Sequence, residues 1–203
     1  PSNAQRTPYN NEIFLRPASR PFADAVNRLF ADARVHADRC THFTVQLGAD
    51  GLLKPIAIYE VEAPRAKQDF LTARDAAKHS RCDPREPPVP CFTDGIFDNV
   101  FSLALEPNSR LNEKILLHGT QCETVDKILH NGMNEAYSYH GQRYGPGIYL
   151  ADQVCKAARY AAMQGPAPAS IISKILRLTP DEASRAMYVL VFRVVLGCVA
   201  RTS

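Results

Sequence analysis

The 203-residue chain has no apolar run long enough to cross a bilayer: the longest, residues 188–196, is short and interrupted by Arg193. Its N-terminus carries no apolar secretory core, so the expectation is a cytosolic protein with reduced thiols. An excess of charge of one sign is also missing. The 24 Lys and Arg stand against 21 Asp and Glu, a net charge of +3, whereas a nucleic-acid surface concentrates far more positive charge. Neither a membrane nor nucleic acid is indicated as a partner. The six cysteines, at 40, 82, 91, 122, 155 and 198, include no CxxC and no Cys/His quartet at zinc-ligand spacing, so no metal is expected. The motifs GxSxG, the Walker loop and HExxH are absent as well, which withdraws support from the serine-hydrolase, P-loop and zinc-protease classes. No internal repeat is visible. What remains is an ordinary globular mix, 45% hydrophobic and 22% charged, which excludes a disordered tail or a coiled coil. The length suits one large domain or one domain with an extension.

Along the chain, residues 5–20 are polar and turn-rich, and Ser19 followed by Pro21 marks a helix start. Phe22, Val26, Leu29, Phe30 and Ala33 then fall on one stripe of a helix ending near His36. Phe43, Val45 and Leu47 alternate with polar residues, Ala49-Asp50-Gly51 is a turn, and Ile56 to Val61 reads as the returning strand of a hairpin. Residues 65–79 read as a polar-faced helix with Phe70 and Leu71 inward, and the proline-rich residues 81–90 as an irregular join. In the second half, Ile115-Leu116-Leu117 reads as a short buried strand ending on a turn, His118-Gly119-Thr120. A helix follows, with Thr120 and Glu123 at capping-box spacing and Asn131-Gly132 as its stop. Gly145-Pro146-Gly147 forces an irregular backbone before Ile148 to Ala151, and residues 152–163 read as the next helix. Residues 164–187 read as a proline-containing loop, and residues 188–196 as the strongest strand. Strands grouped with helices between them, without strict βα alternation, make the expected class α+β.

Three pieces carry candidate chemistry: His118-Gly119-Thr120 at a strand end, the stretch YGPGIYLAD at 144–152, and CKAARY at 155–160. Singly each has a structural explanation. A strand-end histidine commonly finds a local partner, a tyrosine in an apolar stretch is by default a core aromatic, and Gly145 and Gly147 mark a tight turn.

In combination, the order and spacing of Leu117-His118-Gly119-Thr120, Gly145-x-Gly147-Ile148-Tyr149-Leu150-Ala151 and Lys156-Ala157-Ala158-Arg159-Tyr160 resemble the catalytic domain of the poly(ADP-ribose) polymerase family, the diphtheria-toxin-like ADP-ribosyltransferases. The likeness is strong over residues 115–160 and weaker over the rest of 40–203. It implies a split antiparallel sheet with a cleft for NAD+, preceded by a helical lead-in in residues 1–39. It also implies NAD+ as co-substrate, release of nicotinamide and transfer of ADP-ribose to a protein side chain. His118 and Tyr149 would be the catalytic pair. His118 would bond the adenosine-side ribose hydroxyl, Gly119 the nicotinamide carboxamide through its backbone, and Tyr149 and Tyr160 would flank the nicotinamide ring. Thr120, Gly147 and Ala157 complete the expected NAD+-binding set. Free-standing domains of this kind occur as bacterial effectors delivered into host cells, where regulatory proteins, ubiquitin among them, are acceptors.

Two departures are expected to matter. A serine that bonds the carboxamide in the family falls at Ala157, which has no hydroxyl. The family's third catalytic residue, a glutamate, falls on a strand beyond Ser203, so the domain is expected to lack its last strand or strands. Glu106 and Glu182 are alternatives only as available carboxylates. These departures leave a second expectation open, a catalytically inactive module that binds NAD+, ADP-ribose or a protein partner.

Overall fold

The computed structural model describes residues 7–8, 13–37, 55–78, 90–97, 100, 111–120, 122–134, 145–162 and 171–197. It is a mixed α+β structure with two small antiparallel sheets, β1-β2-β3 and β4-β5, among the described residues. The expected first hairpin strand at 43–47, most of the proline-rich join and residues 137–143 lie outside them.

Where residues 5–20 read as turn-rich, the chain forms two short strands, β1 (Thr7–Pro8) and β2 (Phe14–Pro17). Ile13 and Leu15 are buried while Arg16 and Pro17 are exposed. Four residues bounded by a proline are too few for a period of two to stand out. The returning strand of the expected hairpin is β3 (Tyr59–Glu62), and its partner among the described residues is β2, from Phe14 opposite Glu62 to Pro17 opposite Tyr59.

Helix α1 (Arg20–Ala37) begins where Ser19 and Pro21 predict, its first backbone bond running from Ala23 N–H to Ser19 C=O at 2.9 Å. The Ser19 side chain does not cap its own helix. Its N–H and Oγ–H both donate to Glu60 Oε1, at 2.8 and 2.7 Å, so the start of α1 is tied to β3. Helix α2 (Pro64–Ala77) opens on a proline, which needs no N–H partner there, and has no fully buried residue. Phe70 and Leu71 are half-buried.

Strand β4 (Glu113–Thr120) is buried nearly throughout and pairs along its whole length with β5 (Tyr188–Val195). The HGT triplet therefore lies inside a strand and is not a turn. His118 stands opposite Leu190, Gly119 opposite Val189 and Thr120 opposite Tyr188. Alternation along the strand gives the β4-β5 sheet two apolar faces. Ile115 and Leu117, with Val189 and Val191, pack against Ala25, Val26 and Leu29 of α1 and against Val154 and Ala157 of α4 (Val154–Ala162). Tyr188 and Leu190 belong to a second cluster with Ile13, Leu15, Val125 and Ile172. Full burial of residues such as Leu29 and Leu117 contributes about 2 kcal/mol each.

Helix α3 (Cys122–Asn131) ends as predicted, with Gly132 at φ +74° and its N–H bonded to Ile128 C=O. Residues 164–187 read as a loop, yet they contain α5 (Ile171–Ile175) and α6 (Pro180–Arg185). Helix α6 starts with a reciprocal box. The Glu182 carboxylate accepts from Thr179 N–H, and Glu182 N–H donates to Thr179 Oγ1. The pattern Thr179-Pro180-Asp181-Glu182 is a local signal for a helix N-terminus.

Candidate functional site

Three of the sequence-predicted residues, His118, Gly119 and Tyr149, meet at the edge of β4 that faces away from β5. Backbone groups of an antiparallel strand alternate between its two edges. Leu117 directs both of its groups at Ala151: Leu117 N–H to Ala151 C=O at 2.7 Å, and Ala151 N–H to Leu117 C=O at 2.9 Å. This single bridge joins Ala151 to β4. Two residues on, Gly119 presents its N–H and C=O to the same edge, in register with Tyr149. The ladder does not continue there. Among the described residues the bridge stays isolated, so the 145–149 segment leaves β4 where Gly119 offers one donor and one acceptor side by side. A primary carboxamide has the complementary pair.

The contact that replaces the missing ladder step comes from the neighbouring side chain. His118 Nδ1 lies 2.9 Å from the Tyr149 carbonyl oxygen. A carbonyl can only accept, so Nδ1 carries a proton. Tyr149 is held at its other end by its hydroxyl, which donates to Gly145 C=O at 2.7 Å. Gly145 sits at φ +84°, a conformation that side chains rarely adopt. Gly145 thus holds the Tyr149 hydroxyl as well as making the turn.

Packing by itself requires a glycine at position 119. A Cβ there would lie 1.6 Å from the Ala157 carbonyl oxygen and 2.5 Å from its carbonyl carbon. The glycine lets helix α4 pack directly on β4. Ala157 itself is 1% exposed and belongs to the core cluster of α1, β4 and α4. Tyr160, three residues on along α4, remains 43% exposed, with Lys156 Nζ 5.7 Å from its ring centroid. Thr120 is buried at the end of β4, and Gly147 has open space where a side chain would stand. The site residues therefore divide between an edge (His118, Gly119, Tyr149), a core contact (Ala157, Thr120) and an exposed aromatic face (Tyr160).

The Asp152 carboxylate, next to Ala151, accepts from Phe92 N–H at 3.0 Å. That partner lies 60 residues away in sequence. Of the alternative carboxylates, Glu182 is held in the box that starts α6, and Glu106 lies outside the described residues. Among the described residues no group of three or more His, Cys, Asp or Glu side chains stands ready to hold a metal ion, and no helix is long and apolar enough to cross a membrane. Comparison with protein families matches residues 57–200 to the poly(ADP-ribose) polymerase catalytic domain.

Proposed function

The chain belongs to the poly(ADP-ribose) polymerase catalytic-domain family, which implies ADP-ribosyltransferase activity with NAD+ as co-substrate, and from that premise we propose that it transfers single ADP-ribose units to a protein side chain. The observation that carries the reading is the edge of β4, where Gly119 offers an N–H and a C=O beyond the Leu117 to Ala151 bridge and His118 is clamped on Tyr149.

On this reading Gly119 takes the nicotinamide carboxamide, and Tyr149 and Tyr160 flank the ring. His118 bonds the adenosine-side ribose. Thr120 and Ala157 contribute by holding β4 and α4 in place, and Gly147 by leaving room beside Tyr149. The bond between ribose C1′ and the nicotinamide nitrogen breaks, and its electron pair leaves with neutral nicotinamide. The acceptor nucleophile adds to C1′ and loses its proton. Held substrate geometry supplies most of what such a substitution needs. Residues 40–203 form the transferase domain in this reading, with residues 1–39 as its extension. The domain acts as an effector on a regulatory protein of a host cell, with ubiquitin as a first acceptor to try.

Labelled NAD+ incubated with the protein and candidate acceptors gives nicotinamide release and one ADP-ribose added to the acceptor's mass. His118→Ala and Tyr149→Ala each reduce that rate by more than about tenfold, equivalent to 1.4 kcal/mol, while the far-ultraviolet spectrum is retained. Full activity in both variants overturns the assignment. One observation favours a second reading. The residue aligned with the family's carboxamide-binding serine is Ala157, a core residue without a donor, which suits a module that binds NAD+ or ADP-ribose without turnover. Calorimetric NAD+ binding with no nicotinamide release selects that reading.

A further inference from the structure

We propose that Asp152 is a positioning residue of the candidate site: its carboxylate closes a circuit of hydrogen bonds that fixes the course of the chain from Tyr149 to Ala151, and so where Tyr149 stands relative to His118 and Gly119. The outer edge of β4 carries the argument. Along it, Ile115, Leu117 and Gly119 present their backbone groups in turn. The first of these places is taken by Thr93, whose Oγ1–H donates to Ile115 C=O at 2.6 Å. The second is the bridge between Leu117 and Ala151, and the third, at Gly119, has no such bridge among the described residues. The occupants of the first two places are joined to each other, because Phe92 N–H donates to the Asp152 carboxylate at 3.0 Å. Residues 115–117, 151–152 and 92–93 therefore close on themselves through three contacts.

A segment held by one bridge can pivot about it. A second hold one residue away removes that freedom, provided that its anchor is itself fixed. The turn at 91–97 meets that condition. The Asp94 carboxylate accepts from Cys91 N–H at 2.9 Å and from Lys114 Nζ of β4 at 2.9 and 2.8 Å. Asp94 N–H in turn donates to Cys91 C=O at 3.0 Å. Arg28 of α1 donates to Ile96 C=O at 2.8 Å, and the buried Phe97 ring lies 5.7 Å from that of Phe22. Asp152 thus ties the chain beside Ala151 to a turn that both β4 and α1 hold. Tyr149, two residues before the bridge, is where the fixed course is read, its carbonyl oxygen lying 2.9 Å from His118 Nδ1. In the bond to Phe92 the carboxylate serves only as an acceptor. One oxygen in the right place is what it supplies, and an asparagine amide has that oxygen too.

The test compares Asp152→Ala with Asp152→Asn, and its first readout needs no ligand. In free protein labelled with 15N-histidine, the His118 Nδ1 resonance is identified by its loss in His118→Gln. It stands at the protonated position in the wild type and in Asp152→Asn, and moves toward the average of the two tautomers in Asp152→Ala. Destabilisation alone does not move it, because the resonance is that of the folded molecules. The second readout rests on the NAD+ reading of the site. With NAD+, kcat/KM for nicotinamide release falls about fivefold or more in Asp152→Ala, the loss of one hydrogen bond that holds the site, and stays within about twofold of wild type in Asp152→Asn. If Asp152→Ala does not fold, Thr93→Val opens the same circuit at another contact with little change in side-chain size. It shifts both readouts in the same direction. An Nδ1 resonance unmoved in the variant that opens the circuit overturns the proposal, as does unchanged kcat/KM there. A loss in Asp152→Asn equal to that in Asp152→Ala also overturns it, since charge would then be what matters. A wild-type protein that neither binds NAD+ nor releases nicotinamide removes the NAD+ reading instead, and the resonance alone then decides the role of Asp152.

Discussion

At the scale of single residues, two of the motif glycines, Gly119 and Gly147, have opposite tolerances. Gly119 lies under the Ala157 carbonyl, and its 1.6 Å clearance to a built Cβ involves backbone on both sides, which has no flexible end to swing away. Gly119→Ala must push α4 off β4, and its expected cost is about 1–3 kcal/mol or more. Gly147→Ala enters open space and should change stability by no more than about 0.5 kcal/mol. Thermal denaturation of the two variants side by side checks the contrast, and equal melting temperatures would contradict the packing account. Nothing in the triplet His118-Gly119-Thr120 distinguishes a glycine needed by a ligand from one needed by a helix. That depends on what crosses the strand, and the crossing residue is 38 positions further along the chain.

At the scale of elements, the start of α1 and the edge of β3 act as one unit through Glu60. Burial raises the Glu60 carboxyl, but the hydrogen bonds from Ser19 Oγ and N–H and the Arg16 guanidinium outweigh it and leave the group below its ordinary value of 4.5. A carboxyl lowered by folding stabilises the fold at pH above 4.5. That contribution falls away as the pH drops below 4.5 through the lower folded value. Urea denaturation between pH 6 and pH 3 should therefore show a shallower acid loss in Glu60→Gln than in the wild type. Parallel curves would remove the group from the account. The helix start itself was legible from Ser19 and Pro21, because a missing N–H at the first turn and a small polar residue before it are local requirements. The serine's partner was not legible, since the side chain bypasses its own helix for a strand 41 residues away. Helix α6 was the reverse case, legible in principle through Thr179 and Glu182 and obscured by the prolines around it.

At the scale of the whole molecule, one charge cluster fastens α2 to the main sheet. The Glu113 side chain is fully buried between Arg74 of α2 and Arg193 of β5, the latter at 2.6 Å. Arg193 also lies over the Phe70 ring, 5.4 Å from its centroid. Glu113→Ala leaves two nearly buried guanidinium groups facing each other, and the expected destabilisation is about 3–5 kcal/mol. The exposed pair of Arg16 and Glu62 at 3.2 Å should contribute no more than about 1 kcal/mol. Chemical denaturation of Glu113→Ala and Glu62→Ala orders the two, and a Glu113→Ala loss no greater than that of Glu62→Ala would refute the role assigned to the cluster. The sequence by itself determined the mixed class, the positions of α1, α2, β4, α3, α4 and β5, and the family, because those depend on periodicity, caps and the local spacing of HGT, GxGIY and CKAARY. Only the tertiary structure decided that HGT is strand and not turn, that β2 is the neighbour of β3, that Gly119 makes room for Ala157, and that His118 Nδ1–H donates to the Tyr149 carbonyl. Each of these is a contact between distant segments, and a local pattern carries no information about which distant backbone group will arrive to complete it.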